Sequence, residues 1–437
     1  MSRLDCLIRG ARVLTPEGFQ PLDLGLADGR IAALAPSVSE AAVDEVDASG
    51  GLLVPGMIDA HVHFNEPGRT EWEGFASGSA AAAAGGVTTV FDMPLNSSPA
   101  TLTPEAFEAK RVCSLRGSKV RTRLWGGLVP GNLHQLERLR DCGVIGFKAF
   151  MSNSGIDEFA RADSATLRAG MKLIAGLPGM CLAVHAEDEA MTARLAAATR
   201  ASGRLDARAF AESRPVEAEL LAIREVLDLA GETRCPLHIV HVSCAEGVAL
   251  IQEAKALGVD VTAETCPHYL ALTVDDQDRL GALAKCAPPL RDTTQQAALW
   301  RCVRRGEVHT IGSDHSPCPP EMKAGRSFSD AWGGISGVQH ALPLIYSEGM
   351  ARGVDAVRLA SMLSAEPARR FRLEPGIGQL RLGSPADLCW LDPGSGAGIR
   401  REELLDRHRH SPYVGRRLAW AVRRTWIAGR TVFEAAA

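Results

Sequence analysis

No stretch of this 437-residue chain approaches the roughly 20 consecutive apolar residues that a helix needs to cross a bilayer. The opening run Met1-Ser2-Arg3-Leu4-Asp5-Cys6 interrupts its apolar residues with charges, so no signal peptide is expected. Cys-x-x-Cys is absent. The eleven cysteines stand singly and are odd in number, which argues against a zinc ribbon or a disulfide framework and predicts reduced thiols in the cytoplasm. A strong charge of either sign is also missing: 48 basic against 52 acidic residues leave a net charge of −4, which disfavours nucleic acid and anionic membrane as partners. No Gly-x-Gly-x-x-Gly follows the first buried strand, which weakens a dinucleotide-binding reading. What is present is 46% hydrophobic and 23% charged residues, ordinary for a globular protein with room for more than one structural unit.

Both ends of the chain read as short strands. Residues 5–14 and 22–34 carry strand-like stretches, the second broken by Asp28-Gly29, a strong hairpin signal. The texture returns at 386–391 and at 420–432, where Gly429 marks a turn. Short sheets need partners to bury a face, so the two ends are expected to form one composite β-sandwich domain over 1–54 and 380–437. Over 55–379 strands alternate with helices. Buried strands are predicted at 57–63, 87–92, 122–128, 144–150, 182–186, 238–243, 259–265 and 309–314. Helical stretches lie between them at 104–113, 165–175, 216–230, 245–256 and 294–304, and the tract Ala80 to Ala84 runs into a Gly85-Gly86 stop. Such alternation implies parallel strands with right-handed crossovers. About eight of them predict an α/β fold, a (β/α)8 TIM-like barrel with insertions.

In such a barrel chemistry gathers at the C-terminal ends of the strands. The first predicted strand ends in Asp59-Ala60-His61-Val62-His63. Side chains alternate faces along a strand, so His61 and His63 point the same way and can chelate one divalent metal. The fourth strand places Lys148 among apolar neighbours and the fifth presents His185. The sixth offers His238 and His241 on opposite faces, with His241 nearer the C-terminal end, and the eighth ends at Asp314. Taken singly, a strand histidine is more often a hydrogen-bonded core residue, and a strand aspartate can cap the next helix. Lys148 is harder to accommodate, because a buried ammonium needs an anion, a lowered pKa or chemical conversion. A neutral amine that captures carbon dioxide becomes an anionic carbamate able to bridge two metals. Four histidines, one lysine and one aspartate on one barrel face jointly favour a metal centre over separate structural roles. His268, His315, Glu187 and Cys318 are weaker candidates, and a thiol mechanism at Cys318 has no assigned base beside it.

The run Asp59-Ala60-His61-Val62-His63-Phe64-Asn65-Glu66-Pro67-Gly68, with Gly146-Phe147-Lys148, His185, His241 and Asp314, resembles the cyclic amidohydrolases over nearly the whole chain. That group comprises dihydroorotases, dihydropyrimidinases (hydantoinases) and allantoinases. The resemblance implies two divalent metal ions per subunit, zinc foremost, with cobalt, manganese and nickel also suited to such ligands. It implies His61, His63 and Asp314 on one ion, His185 and His241 on the other, a carboxylated Lys148 between them, and a homotetramer. Within the group, the run from His63 to Phe75, Asp92 to Asn96, Lys285 to Arg291 and Trp332-Gly333-Gly334 are most similar to the allantoinase branch. Dihydroorotases usually carry arginine where this chain has Asn65; arginine matches a ring carboxylate, whereas asparagine suits a neutral urea or amide. Arg69 is the nearby alternative carrier of an anion. The implied reaction is ring opening of allantoin, a small cyclic ureide, to allantoate in purine nitrogen recovery. The nucleophile would be a hydroxide held between the metals, with Asp314 as general base. Asn65, Asn96 and backbone groups about Ala287 and Gly333 are candidate substrate contacts. Dihydroorotase and hydantoinase are the rival activities; a non-catalytic scaffold is disfavoured because every ligand position is filled.

Overall fold

The fold is taken from a computed structural model that describes residues 3–394 and 396–436; positions 1, 2, 395 and 437 of the expected terminal β segments lie outside the described residues. Eight parallel strands run in chain order around a barrel. They are Met57–Val62, Val87–Asp92, Arg121–Leu124 continued by Gly126–Gly127, Phe147–Phe150, Leu182–His185, Leu237–Ile239, Val261–Thr265 and Thr310–Ile311. The ring closes where Val62 pairs in parallel with His315 and the His63 N–H donates to the His315 carbonyl (2.8 Å). Asp59 staples that seam: its Oδ1 accepts the N–H groups of His61 (3.2 Å) and Ser313 (2.9 Å). Every residue of Met57–Val62 and Val87–Asp92 is buried, as expected of parallel strands covered on both faces.

Each of the eight predicted strands overlaps one of these eight; 144–150 and 259–265 begin later, at Phe147 and Val261, and two lose most of their C-terminal ends, 238–243 reducing to Leu237–Ile239 and 309–314 to Thr310–Ile311. There the chain leaves the ladder and turns toward the barrel mouth. His241 (φ 41) and Asp314 (φ 46) adopt the left-handed conformation that strands exclude. The alanine tract forms Phe75–Ala84 and stops at Gly85, where an added Cβ would sit 2.7 Å from the Val338 carbonyl oxygen.

Strands from opposite ends of the chain share one sheet. Leu388–Pro393 pairs antiparallel with Leu52–Pro55 on one side and with Trp420–Ile427 on the other, within six strands in all. A four-stranded sheet of Arg30–Ala35, Asp23–Ala27, Leu4–Arg9 and Ala42–Asp47 packs with it through Ile8, Leu24, Leu53, Leu388 and Trp426. The Asp28-Gly29 turn joins Asp23–Ala27 to Arg30–Ala35 with both residues at positive φ (50 and 74), as a primed hairpin turn requires. Between its last strands the chain crosses back onto the barrel: Arg407 Nε donates to the Glu73 carbonyl (2.6 Å), and Tyr413 is buried in the barrel core. No helix among the described residues is long and apolar enough to cross a membrane, and all eleven cysteines are free.

Candidate metal centre and cavity

His61 leaves the first barrel strand at its C-terminal end and His63 follows it. Their Nε2 atoms lie 3.3 and 3.4 Å from Asp314 Oδ1, which the last strand delivers across the closed seam. One ligand atom from each of these three residues falls within 4.8 Å of the other two, so they form a group able to hold a metal ion. Beside it, His185 Nδ1 lies 3.0 Å from His241 Nε2, and the His61 and His241 rings are 5.5 Å apart. Lys148, one strand away, is fully enclosed, with no hydrogen-bond partner for its Nζ among the described residues. The Phe150 ring stacks on His185 at 4.6 Å and lies 5.0 Å from Lys148 Nζ. Five strand ends thus bring the six predicted ligands together.

Two carboxylates behind the cluster orient its rings. His61 Nδ1 donates to Glu264 Oε1 (2.8 Å), which leaves the Nε2 lone pair facing Asp314. His185 Nε2 donates to Glu187 Oε2 (2.8 Å), which leaves Nδ1 bare on the side of His241. Burial favours ionisation of neither carboxylate, but hydrogen bonds from His238 and His61 hold Glu264 down at about 2. Against the same burial, the Arg214 guanidinium and then His185 hold Glu187 down at about 2. Burial pulls the His185 and His241 imidazoles below their ordinary value, which favours the neutral form that a metal-binding imidazole requires. It also pulls the Lys148 amine from 10.5 to about 7, with Asp314 and Glu264 opposing that fall. For Asp314 burial works against ionisation, and the facing imidazoles of His61 and His63 outweigh it, leaving a carboxylate well below the usual range. Neutral imidazoles, an ionised carboxylate and an unpartnered amine are the donor chemistry a divalent cation requires.

The cluster opens into a cavity of about 680 Å3 at the barrel mouth. Asn96, Ala287 and Gly333 line it together with the four histidines and Asp314. Asn65 and Lys148 do not reach its wall. Asn65 is fully buried at φ 64, and its side-chain amide donates to the Pro317 carbonyl (3.3 Å). Arg69 is turned elsewhere as well, with Nη1 on the Asn96 carbonyl (2.7 Å) and its guanidinium over Trp72. His238 lies beneath the cluster between Thr262 (2.7 Å) and Glu264 (3.5 Å). His315 packs behind Asp314, 3.6 Å from Glu73, and His268 is buried outside the cavity wall. The residues given no role in the sequence are Glu264, Arg214 and Lys285, the last named only as the start of the run to Arg291. Glu264 carried a visible signal, because it is a charge inside the otherwise uncharged strand Val261–Thr265, as Lys148 is in its own. Arg214 and Lys285 sit on loops, where no periodicity marks them.

A closed eight-stranded barrel with paired histidines and an aspartate at its strand ends is an architecture suited to metal-dependent hydrolysis. The chain belongs to the amidohydrolase family, whose model matches residues 52–432. It is 49% identical to the allantoinase of Rubrobacter xylanophilus over 99% of this chain and 95% of that one. It is 47% identical to the allantoinase of Deinococcus radiodurans, over 99% and 96%. Among solved structures it is similar to the L-hydantoinase (dihydropyrimidinase) of Arthrobacter aurescens, with a TM-score of 0.94 and 34% identity over 99% of this chain and 96% of that one. The dihydropyrimidinase of Brevibacillus agri follows at 0.90 and 28%, over 98% and 95%.

Proposed function

We infer that this enzyme hydrolyses the hydantoin ring of allantoin to give allantoate. The observation that carries this reading is likeness to allantoinases along the full chain, at 49% identity against 34% for the hydantoinase of similar fold. On this reading two divalent ions, zinc foremost, would be held by His61, His63 and Asp314 together with His185, His241 and a carboxylated Lys148. When bound, such ions supply Lewis-acid polarisation of the ring carbonyl and lower the pKa of a bound water to about 7.

The chain's own groups do the rest. Asp314, ionised and facing the cavity, accepts the proton released as water adds to the carbonyl and returns it to the departing ring nitrogen. That transfer avoids expelling an amide anion, the step that makes ring opening slow in water. Glu264 and Glu187 keep the ligand nitrogens of His61 and His185 deprotonated and aimed. Asn96 and the backbone about Ala287 and Gly333 line the space for the ring, whereas Asn65 contributes by holding the loop after Asp314 through Pro317. A cytoplasmic location accords with the single free thiols; the homotetramer follows from the family resemblance.

The test is kcat/KM of purified, metal-loaded enzyme on allantoin, dihydroorotate and unsubstituted hydantoin. Dominance by allantoin is expected. Dominance by dihydroorotate would refute the reading and show that a cation at the cavity wall receives a ring carboxylate.

A further inference from the structure

Three cationic side chains line the cavity, Arg200, Arg214 and Lys285. Two are committed elsewhere. Arg200 stands largely exposed at the mouth and pairs with Asp330 (2.9 Å). Lys285 Nζ lies against the Phe210 and Phe328 rings and donates to the carbonyls of Ser329 (3.0 Å) and Ala331 (2.7 Å). Arg214 is different. Its Nη1 donates to Glu187 Oε2 and its guanidinium lies over the Phe210 ring at 5.6 Å, but Nε and Nη2 make no hydrogen bond to the described residues, and its side chain keeps 20% of its surface exposed.

The mounting of Arg214 is firm. Its backbone carbonyl accepts from Arg291 Nη1 (2.6 Å), and Arg291 is itself buried against Ser243 Oγ (2.9 Å) and Glu219 (3.2 Å). A planar guanidinium held at one end, with two free N–H groups along one edge, loses little conformational freedom when it meets an oxygen acceptor. Its distance from the cluster defines what it can touch. Glu187 Oε2 links Arg214 to the outer nitrogen of His185, and only the inner nitrogen of that ring faces His241. Arg214 thus lines the same cavity as the His185–His241 pair, one carboxylate and one imidazole removed from it, where a substituent on a bound ring could reach.

We propose that Arg214 is a substrate-positioning residue that donates to the urea oxygen of the exocyclic arm of the substrate, and so selects allantoin over hydantoins that carry no acceptor there. The proposal rests on the ring-opening reading above. A urea oxygen is a strong neutral acceptor, and a donor edge left without it in a partly buried wall gives discrimination of the kind polar sites achieve against truncated substrates.

The experiment compares wild type, Arg214→Lys and Arg214→Gln as holoenzymes of measured metal content, on allantoin and on unsubstituted hydantoin. The ratio of kcat/KM for allantoin to that for hydantoin is expected to fall about ten- to hundredfold, chiefly through KM for allantoin. The lysine variant keeps a cation facing Glu187 and is expected to retain its metal. An equal fall on both substrates, or loss of metal that silences both, would overturn the proposal and leave Arg214 as a support for His185. A wild type without preference for allantoin over hydantoin would overturn the reaction assignment and the proposal with it. A wild-type preference whose ratio survives in both variants would overturn the proposal alone.

Discussion

Replacing Lys148 by methionine separates what its amine costs the fold from what it does for the metals. The side chain is fully buried, and burial lowers its pKa from 10.5 to about 7. At about 1.4 kcal/mol per pH unit, that fall corresponds to roughly 4–5 kcal/mol of lost stability in the metal-free protein at and below neutral pH. Two smaller effects oppose it in the comparison. The Phe150 ring, 5.0 Å from Nζ, returns up to about 2 kcal/mol to a charged amine, and methionine in place of the lysine stem costs about 1 kcal/mol of packing. Metal-free Lys148→Met is therefore expected to be more stable than metal-free wild type by about 1–3 kcal/mol at pH 7. The unfolded chain binds the proton that the folded chain rejects, so wild-type stability rises with pH between about 7 and 10.5 and the advantage of methionine vanishes above that window. Urea unfolding of chelator-treated protein at both ends of the window measures the difference. The same variant is expected to lose bridged metal binding and turnover, as is Lys148→Ala. A Lys148→Met protein less stable than wild type at pH 7 would refute the assignment of a penalised amine, and undiminished turnover would refute its place between the metals.

The carboxylates divide by role. Asp314→Asn removes the proposed proton acceptor and metal ligand, so kcat is expected to fall at least about 100- to 10,000-fold, read by steady-state assay under saturating metal. Glu264→Gln keeps the size of the side chain but weakens the hydrogen bond that fixes His61; competition against a chelator is expected to show metal affinity lowered about 10- to 100-fold with the fold intact by circular dichroism. Unchanged affinity in that variant would mean that barrel packing alone aims His61.

Periodicity made much of this protein legible. The step of two between His61 and His63 follows from one strand, and the alternation of strands with helices leads to a barrel whose strand ends share one face. Lys148 declared itself because a charge inside an apolar strand has no local explanation, and Glu264 carried the same signal. Loops were less legible. Asn65 occupies the position of a substrate contact in the sequence, yet its left-handed backbone turns the amide to Pro317 and away from the cavity. The strand ends at His241 and Asp314 extend too far when read from composition, since the apolar residues continue past the point where φ turns positive.

The sequence by itself determined the ligand types, their order and the strand that carries each, because side-chain direction along a strand is a local property of two residues. Glu187 stands two residues from His185, but the backing of His61 by Glu264 was decided only by the tertiary structure. His61 and Glu264 meet across 203 residues of chain, and Arg214 and Glu187 across 27 residues that include two helices. Such pairs depend on how the barrel closes and how its loops pack, and those long-range contacts leave no period in the chain for a local reading to find.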